Sequence, residues 1–379
     1  MKIFHLSDLH LGKRIKGYSM LEDQQYILDR VLDAVDEEKP QALIIAGDVY
    51  DKSVPGGEAI QLLDSFLFEL ARRSIRVFIV SGNHDSAERL SFASRLIERS
   101  GIHISRIYDG SLEPIRLDDE FGAVNFWLLP FIKPAYVRSF FPDTEINSYN
   151  DALKAALSNI ELNAGERNLI VAHQHITGAV RSDSEESMAG GLENVDAEAF
   201  EAFDYVALGH LHAPQSLGPG GKLRYCGTPL KYSISEENHK KSITVLELAQ
   251  KGEMRLREIP LVPLRDMRTI TGTYMELTAK SYVSSTKVDD YLQVVLTDEE
   301  FTPYVISKLR SVYPNVLGVD YDNRRTKLNA EIDGAEDVES KAPIEIFAEL
   351  FELQFNRPMS AQQREFAQNI IEGIWGAEE

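Results

Sequence analysis

Five times in the first 215 residues a run of apolar residues stops on groups that can bind a metal ion or move a proton. "KIFHLSDLH" stops on Asp8 and His10, and "ALIIAGDVYD" on Asp48 and Asp51. "VFIVSGNHD" stops on Asn83, His84 and Asp85, "LIVAHQH" on His173 and His175, and "YVALGHLH" on His210 and His212. Continuous Ile/Leu/Val runs mark strands buried on both faces. A single Asp or His at a strand end is an ordinary turn former or helix cap. Five such ends, holding most of the nine histidines, are hard to obtain as independent turns, so the pattern predicts one shared site.

Helical patterns separate the early runs. One covers residues 24–38, with Ile27, Val31 and Val35 on one face and Pro40 as a stop. A second covers residues 58–73, and a third opens after Asp85, which with Glu88 reads as a capping box, and closes before Gly101. Strand–helix–strand alternation predicts a largely parallel α/β sheet. Functional groups in such sheets gather at the carboxyl ends of the strands, so the five clusters are expected along one edge of one sheet.

Composition narrows the class. At 379 residues the chain is long for one domain, and two or three are expected. Apolar residues, 43% of the chain, suffice for a core, yet no run of 18 is apolar throughout, which excludes a transmembrane helix. "MKIFHLSD" begins a strand with no signal-peptide apolar region before it. Cys226 is the only cysteine, so an internal disulfide is excluded; a buried, inert thiol and a cytoplasmic location are expected. The formal charge of −20, from 40 Lys+Arg against 60 Asp+Glu, argues against a nucleic-acid binder acting alone, because phosphate contacts need basic side chains.

Carboxylates, imidazoles and an amide without thiolate suit Mn²⁺, Fe²⁺ or Zn²⁺ better than Ca²⁺. The donors are too many for one four-coordinate ion. Two ions roughly 3.5–4 Å apart, bridged by a carboxylate, account for the number and are suited to phosphoryl chemistry.

The order D-x-H, G-D-x-x-D, G-N-H-D, H and G-H-x-H, here "DLH", "GDVYD", "GNHD", "AHQH" and "GHLH", resembles that of calcineurin-like metallophosphoesterases. The resemblance implies a sandwich of mixed β-sheets flanked by helices. It implies that Asp8, His10 and His212 hold one metal, that Asn83, His173 and His210 hold a second, and that Asp48 bridges them. His84 would contact the scissile phosphate and protonate the leaving oxygen. Asp51 stands where relatives carry a residue that orients the catalytic imidazole, and its carboxylate is expected to raise the pKa of His84. Asp85 is expected to cap the following helix, His175 to pack in the core, and His5, His103 and His239 have no motif support.

Further segments, "MKIFHLSDLHLGKR", "YVALGHLHAPQ" and "RYCGTPLKYS" among them, resemble the SbcD family, the nuclease subunits of bacterial SbcC–SbcD complexes, strongly over residues 1–260 and weakly beyond. That resemblance implies Mn²⁺-dependent hydrolysis of DNA phosphodiesters: 3′-to-5′ exonuclease action on duplex ends, and endonuclease action on single strands and hairpins, in DNA repair and recombination. The partner ATPase SbcC would gate access. A metallophosphoesterase domain over 1–262 is expected, then a small α+β capping domain over 263–335 bordering the DNA cleft, and a linker and helices over 336–379 docking the coiled-coil base of SbcC. Lys13, Arg14 and Lys16 follow His10 directly and are candidate contacts to a flanking phosphate. Ile60, Leu62, Leu63, Phe66, Leu67 and Leu70 make a band wider than one core-facing stripe, which suggests a homodimer. A phosphodiesterase for nucleotides or other small phosphoesters is the alternative enzyme reading, and a non-catalytic scaffold the alternative outside enzymes.

Overall fold

The computed structural model describes residues 1–182, 185, 193–323, 343–355 and 357–375. The chain divides into two compact units, Met1–Met267 and Arg268–Glu379. None of the described helices is long and apolar enough to cross a membrane.

The first unit contains two six-stranded sheets. In one, the strands run in the order Met254–Pro260, Ser242–Leu248, Lys2–Leu6, Ala42–Ala46, Arg76–Val80 and Ile102–Ile104. The last four are mutually parallel and the first two antiparallel. In the other, the order is Gln215–Leu217, Leu223–Tyr225, Tyr205–Leu208, Arg167–Ala172, Gly122–Leu128 and Ile115–Asp119. Its four inner strands are parallel and its two edge strands antiparallel.

The apolar runs are explained by burial on both faces. Leu169 and Val171 face the core between the sheets, with Ile3, Ile44, Phe78 and Phe126. Ile170, between them, faces a second core with Trp127, Val206 and Leu153. The rings of Phe78 and Phe126 stack across the sandwich at 4.0 Å. Each such side chain removed from water contributes about 1.5–3 kcal/mol, so the strand ends rest on a rigid base.

Two expectations are corrected here. The five strands with polar ends do not share a sheet: Lys2–Leu6, Ala42–Ala46 and Arg76–Val80 belong to one, Arg167–Ala172 and Tyr205–Leu208 to the other. The antiparallel hairpin of Ile115–Asp119 and Gly122–Leu128 starts the second sheet, and apolar periodicity carries no information about which sheet a strand joins. The helix expected after Asp85 is two short turns, Ala87–Leu90 and Ser94–Ile97, interrupted by Ala93 at φ +59°. Its cap is Ser86, whose hydroxyl accepts the Arg89 N–H at 3.3 Å and donates to Glu88 at 2.7 Å.

Helix Gly57–Arg72 packs on helix Leu21–Glu38 and on strand Arg76–Val80. Leu62, Leu63, Phe66, Leu67 and Leu70 are all buried within the chain. Only Ile60 and Phe68 of its large apolar residues stay exposed.

In the second unit, strands Met267–Gly272, Tyr291–Leu296 and Val316–Tyr321 form a sheet. Helix Val305–Arg310 packs on its last strand, around a core of Leu292, Val294, Leu309, Tyr313 and Val316. The end of the expected capping domain, residues 324–335, and the start of the expected linker, residues 336–342, lie outside the described residues, as does the side chain of Trp375. Helices Pro343–Phe355 and Ala361–Trp375 pack on each other. They leave an apolar groove lined by Phe347, Phe351, Met359, Phe366, Ile370 and Ile371.

Candidate metal centre

The turns that follow the five strands are bonded directly to one another. The Asp8 N–H donates to the Gly47 carbonyl at 3.0 Å, His10 N–H to Asp48 at 2.9 Å, and Gly209 N–H to Ala172 at 3.2 Å. So close an approach explains the glycine that opens three of the motifs. A Cβ at Gly47 would overlap the His173 ring, one at Gly82 the Asp48 carboxylate, and one at Gly209 the Ala46 carbonyl. The same crowding holds Asp8, His10, Asp48 and His210 at φ +52°, +44°, +47° and +96°. Left-handed backbone at a residue with a side chain costs on the order of 1–3 kcal/mol and persists only where the surroundings over-determine it. All four are expected ligands, and the strain aims their side chains into one space.

The side chains converge there. Asn83 Oδ1 lies 3.0 Å from His173 Nε2 and 3.1 Å from His210 Nδ1. Asp48 Oδ2 lies 3.3 Å from His173 Nε2, 3.8 Å from His10 Nε2 and 3.9 Å from His84 Nε2. Donor atoms of Asp8, His10 and His212 fall within 4.8 Å of one another, as do those of Asp8, Asp48 and His173. These two groups share Asp8, and a third group, His10, Asp48 and His84, shares His10 with the first and Asp48 with the second. The expected ligands are thus brought together from both sheets.

The donor set fits divalent cations. Both ring nitrogens of His10 and Nε2 of His210 are buried without a hydrogen-bond partner among the described residues, although buried polar groups are rarely left so. A cation would take the one lone pair that each ring offers in its neutral form. Charge points the same way. Burial, together with the charge of Asp48, raises the Asp8 carboxyl to about 6. Burial works against charge on His173, but the Asp48 and Asp8 carboxylates outweigh it and lift the imidazole to about 9. Asp48, despite its burial, is held well below the carboxylate range by His173 and His10. Buried carboxylates around a common space call for positive charge inside it.

His84 stands at the edge of this space. Its backbone N–H donates to Asp48 Oδ1 at 2.9 Å, and its Nδ1 lies 3.1 Å from the Asp51 carbonyl oxygen. That carbonyl accepts the Nδ1 proton and turns Nε2 inward. The expectation that the Asp51 carboxylate does this is corrected: the carboxylate instead bonds Lys13 Nζ at 2.8 Å and lies 3.8 Å from His10 Nδ1. The Asp51 N–H is tied to the Leu11 carbonyl at 3.2 Å. Asp85 is corrected as well. It caps no helix; its carboxylate accepts the N–H groups of Val49 at 3.0 Å, Tyr50 at 2.9 Å and Gly82 at 2.9 Å, clamping the "GDVYD" turn to the "GNHD" turn.

Several supporting residues carry no motif signal. Gln24 Nε2 donates to the His10 carbonyl at 2.7 Å, and the Tyr232 hydroxyl to the Leu9 carbonyl at 2.5 Å, fixing the turn that presents His10. His212 Nδ1 lies 3.0 Å from Glu236 Oε1. Glu236 is fully buried, and only that burial separates it from its half-buried neighbour Glu237.

The remaining histidines and the basic loop are placed as follows. His175 is buried beside His210, with ring centroids 6.0 Å apart. His5 bonds the Tyr205 hydroxyl at 2.9 Å, and His103 stacks on Phe78. Cys226 is buried and its thiol is pushed up to about 12 by burial, which leaves it inert. Lys13 is engaged with Asp51, while Arg14 and Lys16 are exposed on a small hairpin, Arg14–Ile15 with Tyr18–Ser19.

A family described as calcineurin-like phosphoesterase matches residues 1–214, more than half of the chain, and residues 263–355 match a family described as type 5 capsule protein repressor C-terminal domain. The fold and the site thus define the class: the chain belongs to the calcineurin-like phosphoesterases. Within that class it falls with the SbcD components of the nuclease SbcCD. The SbcD of Staphylococcus epidermidis is 34% identical over 344 residues, covering 89% of this chain and 90% of the relative. The SbcD of Staphylococcus saprophyticus is 34% identical over 346 residues, with the same coverage.

Proposed function

We propose that this chain is a DNA nuclease that hydrolyses phosphodiester bonds at two divalent metal ions, Mn²⁺ by preference. One observation carries the reading: donors from five turns of two sheets crowd around Asp48, in a chain similar along most of its length to nuclease components. In this reading Asp8, His10 and His212 would hold one ion, Asn83, His173 and His210 would hold the other, and Asp48 would be shared between them. When bound, such a pair supplies an activated water and offsets charge on the phosphorus in flight. The chain's own contribution is positional. The carbonyl of Asp51 and the backbone contact to Asp48 fix the His84 ring, so that Nε2 can give a proton to the leaving oxygen. Arg14 and Lys16, exposed on the hairpin that follows His10 in the chain, are suited to hold a flanking phosphate, whereas Lys13 chiefly anchors Asp51.

The acidic balance, 60 Asp+Glu against 40 Lys+Arg, gives the isolated chain a weak hold on DNA, so a partner must supply further basic surface. SbcC, the ATPase implied by the relatives' name, is that partner. The groove between the last two helices is the surface offered to its coiled-coil base, with Phe366 of its lining exposed and Leu350 exposed on the first of the two helices. A homodimer belongs to the same reading. Helix Gly57–Arg72 contributes only Ile60 and Phe68 to it, with Phe92 and Leu96 exposed a little further along the chain. A chain with one buried cysteine suits a reducing cytoplasm.

The test is purified protein with Mn²⁺, given labelled hairpin and single-stranded DNA beside p-nitrophenyl phosphoesters. DNA cleavage should fall about 10²–10⁴-fold in His84→Ala while bound metal is retained. Ester turnover without DNA cleavage would favour a small-molecule phosphodiesterase. Loss of metal from His84→Ala would make His84 a ligand instead.

A further inference from the structure

We propose that Glu236 is a positioning residue for metal binding. It holds the His212 imidazole with its proton on Nδ1, so that the Nε2 lone pair is turned toward Asp8 and His10. The inference rests on the two-metal reading above and adds to it a residue outside the five motifs.

The geometry is that of a buried network. Glu236 Oε1 accepts from His212 Nδ1 at 3.0 Å. Its other oxygen, Oε2, accepts from Lys241 Nζ at 2.5 Å and faces the Thr228 hydroxyl at 3.4 Å. Lys241 Nζ also donates to the His212 carbonyl at 2.9 Å and to Thr228 Oγ1 at 2.6 Å, and the Thr228 N–H donates to that same carbonyl at 3.2 Å. Glu236 is 0% and Lys241 6% exposed. One buried pair therefore grips His212 twice, by its ring and by its backbone.

A carboxylate oxygen has no proton to give, so at the 3.0 Å contact it is Nδ1 of His212 that carries the proton and Glu236 that accepts it. A ring nitrogen that donates cannot ligate, so the bond at Nδ1 decides which nitrogen is left for a cation. Lys241 keeps the carboxylate charged without competing for the oxygen that faces His212. The local chain explains the placement: Ser233 caps the short turn Ile234–Glu236, which carries Glu236 inward while Glu237 stays partly in solvent.

A purely structural role is the competing account, and paired variants separate the two. Replacing a buried ion pair by apolar residues of similar volume is often tolerated. In Glu236→Leu with Lys241→Met, neither member of the Glu236–Lys241 pair is left charged alone, and the Glu236 acceptor facing Nδ1 of His212 is removed. In Glu236→Gln with Lys241→Met, the amide oxygen can still accept the Nδ1 proton. Mn²⁺ titration of the full chain by calorimetry should give two sites in the parent protein. The Leu-containing double variant should lose about 10–100-fold in affinity at one site only, and the Gln-containing one should recover most of it. Equal binding by the two double variants overturns the proposal. If the first does not fold, ¹⁵N spectra of the parent protein without metal decide: an Nδ1–H tautomer at His212 supports the proposal, and an Nε2–H tautomer refutes it. A parent protein that binds no Mn²⁺ refutes the two-metal reading instead and leaves the tautomer measurement intact.

Discussion

His5 and His173 are both completely buried, yet their surroundings shift their pKa values in opposite directions. Burial drives His5 down to about 3, helped by the Arg224 guanidinium, whereas Asp48 and Asp8 lift His173 to about 9. His5 is neutral in the folded protein, with Nδ1 against the Tyr205 hydroxyl. Its folded pKa lies below its unfolded one, so its contribution to stability is complete above about 6.5 and is lost as the pH falls toward about 3. Over that window it should account for a stability slope of about 1.4 kcal/mol per pH unit. Urea unfolding of metal-free protein at several pH values, with His5→Phe alongside, checks this: the variant should show the shallower acid decline, and parallel curves would contradict it. At this scale the sequence was legible where a residue belonged to a spaced pattern. Asp8, His10, Asn83 and His210 could be named from it because each follows an apolar run. Asp85 could be named but not its contacts, since a carboxylate before a Ser reads as a cap until the Val49 and Tyr50 amides are seen to face it. Glu236 could not be found at all, because its burial is a tertiary fact.

The elements that matter most are the turns, and their glycines set how closely they approach. Gly209 lies against strand Ala42–Ala46 of the other sheet, so the two sheets meet at the site through bare backbone. Gly209→Ala would force its Cβ into the Ala46 carbonyl and push the His210 turn off the cluster. We expect a loss of about 3 kcal/mol in metal-free stability by denaturant unfolding, and metal affinity lowered together with it. A variant with unchanged stability and unchanged Mn²⁺ binding would show that the turn has room to give. The buried strands and the helix around Ile27, Val31 and Val35 were readable because burial on one face or two leaves its period in the sequence. The helix expected after Asp85 was not, since a capping pattern fixes where a helix can start but not whether the chain continues it past Ala93.

On the scale of the molecule, the first unit joins two half-sites. The sheet containing Lys2–Leu6 supplies Asp8, His10, Asp48 and Asn83, and the sheet containing Arg167–Ala172 supplies His173, His210 and His212. The division of labour is chemical as well as spatial: the first set holds every carboxylate and the second is wholly imidazole. Sequence order showed that these groups recur, but the allocation of strands to sheets depends on the hairpin at Ile115–Leu128, which no motif marks. The account stands on both halves closing around a pair of ions, and anomalous scattering from manganese-soaked crystals tests that most directly. Two peaks roughly 3.5–4 Å apart, with Asp48 between them and His84 coordinating neither, are the expected result. A single peak, or none within reach of Asp48, would contradict it.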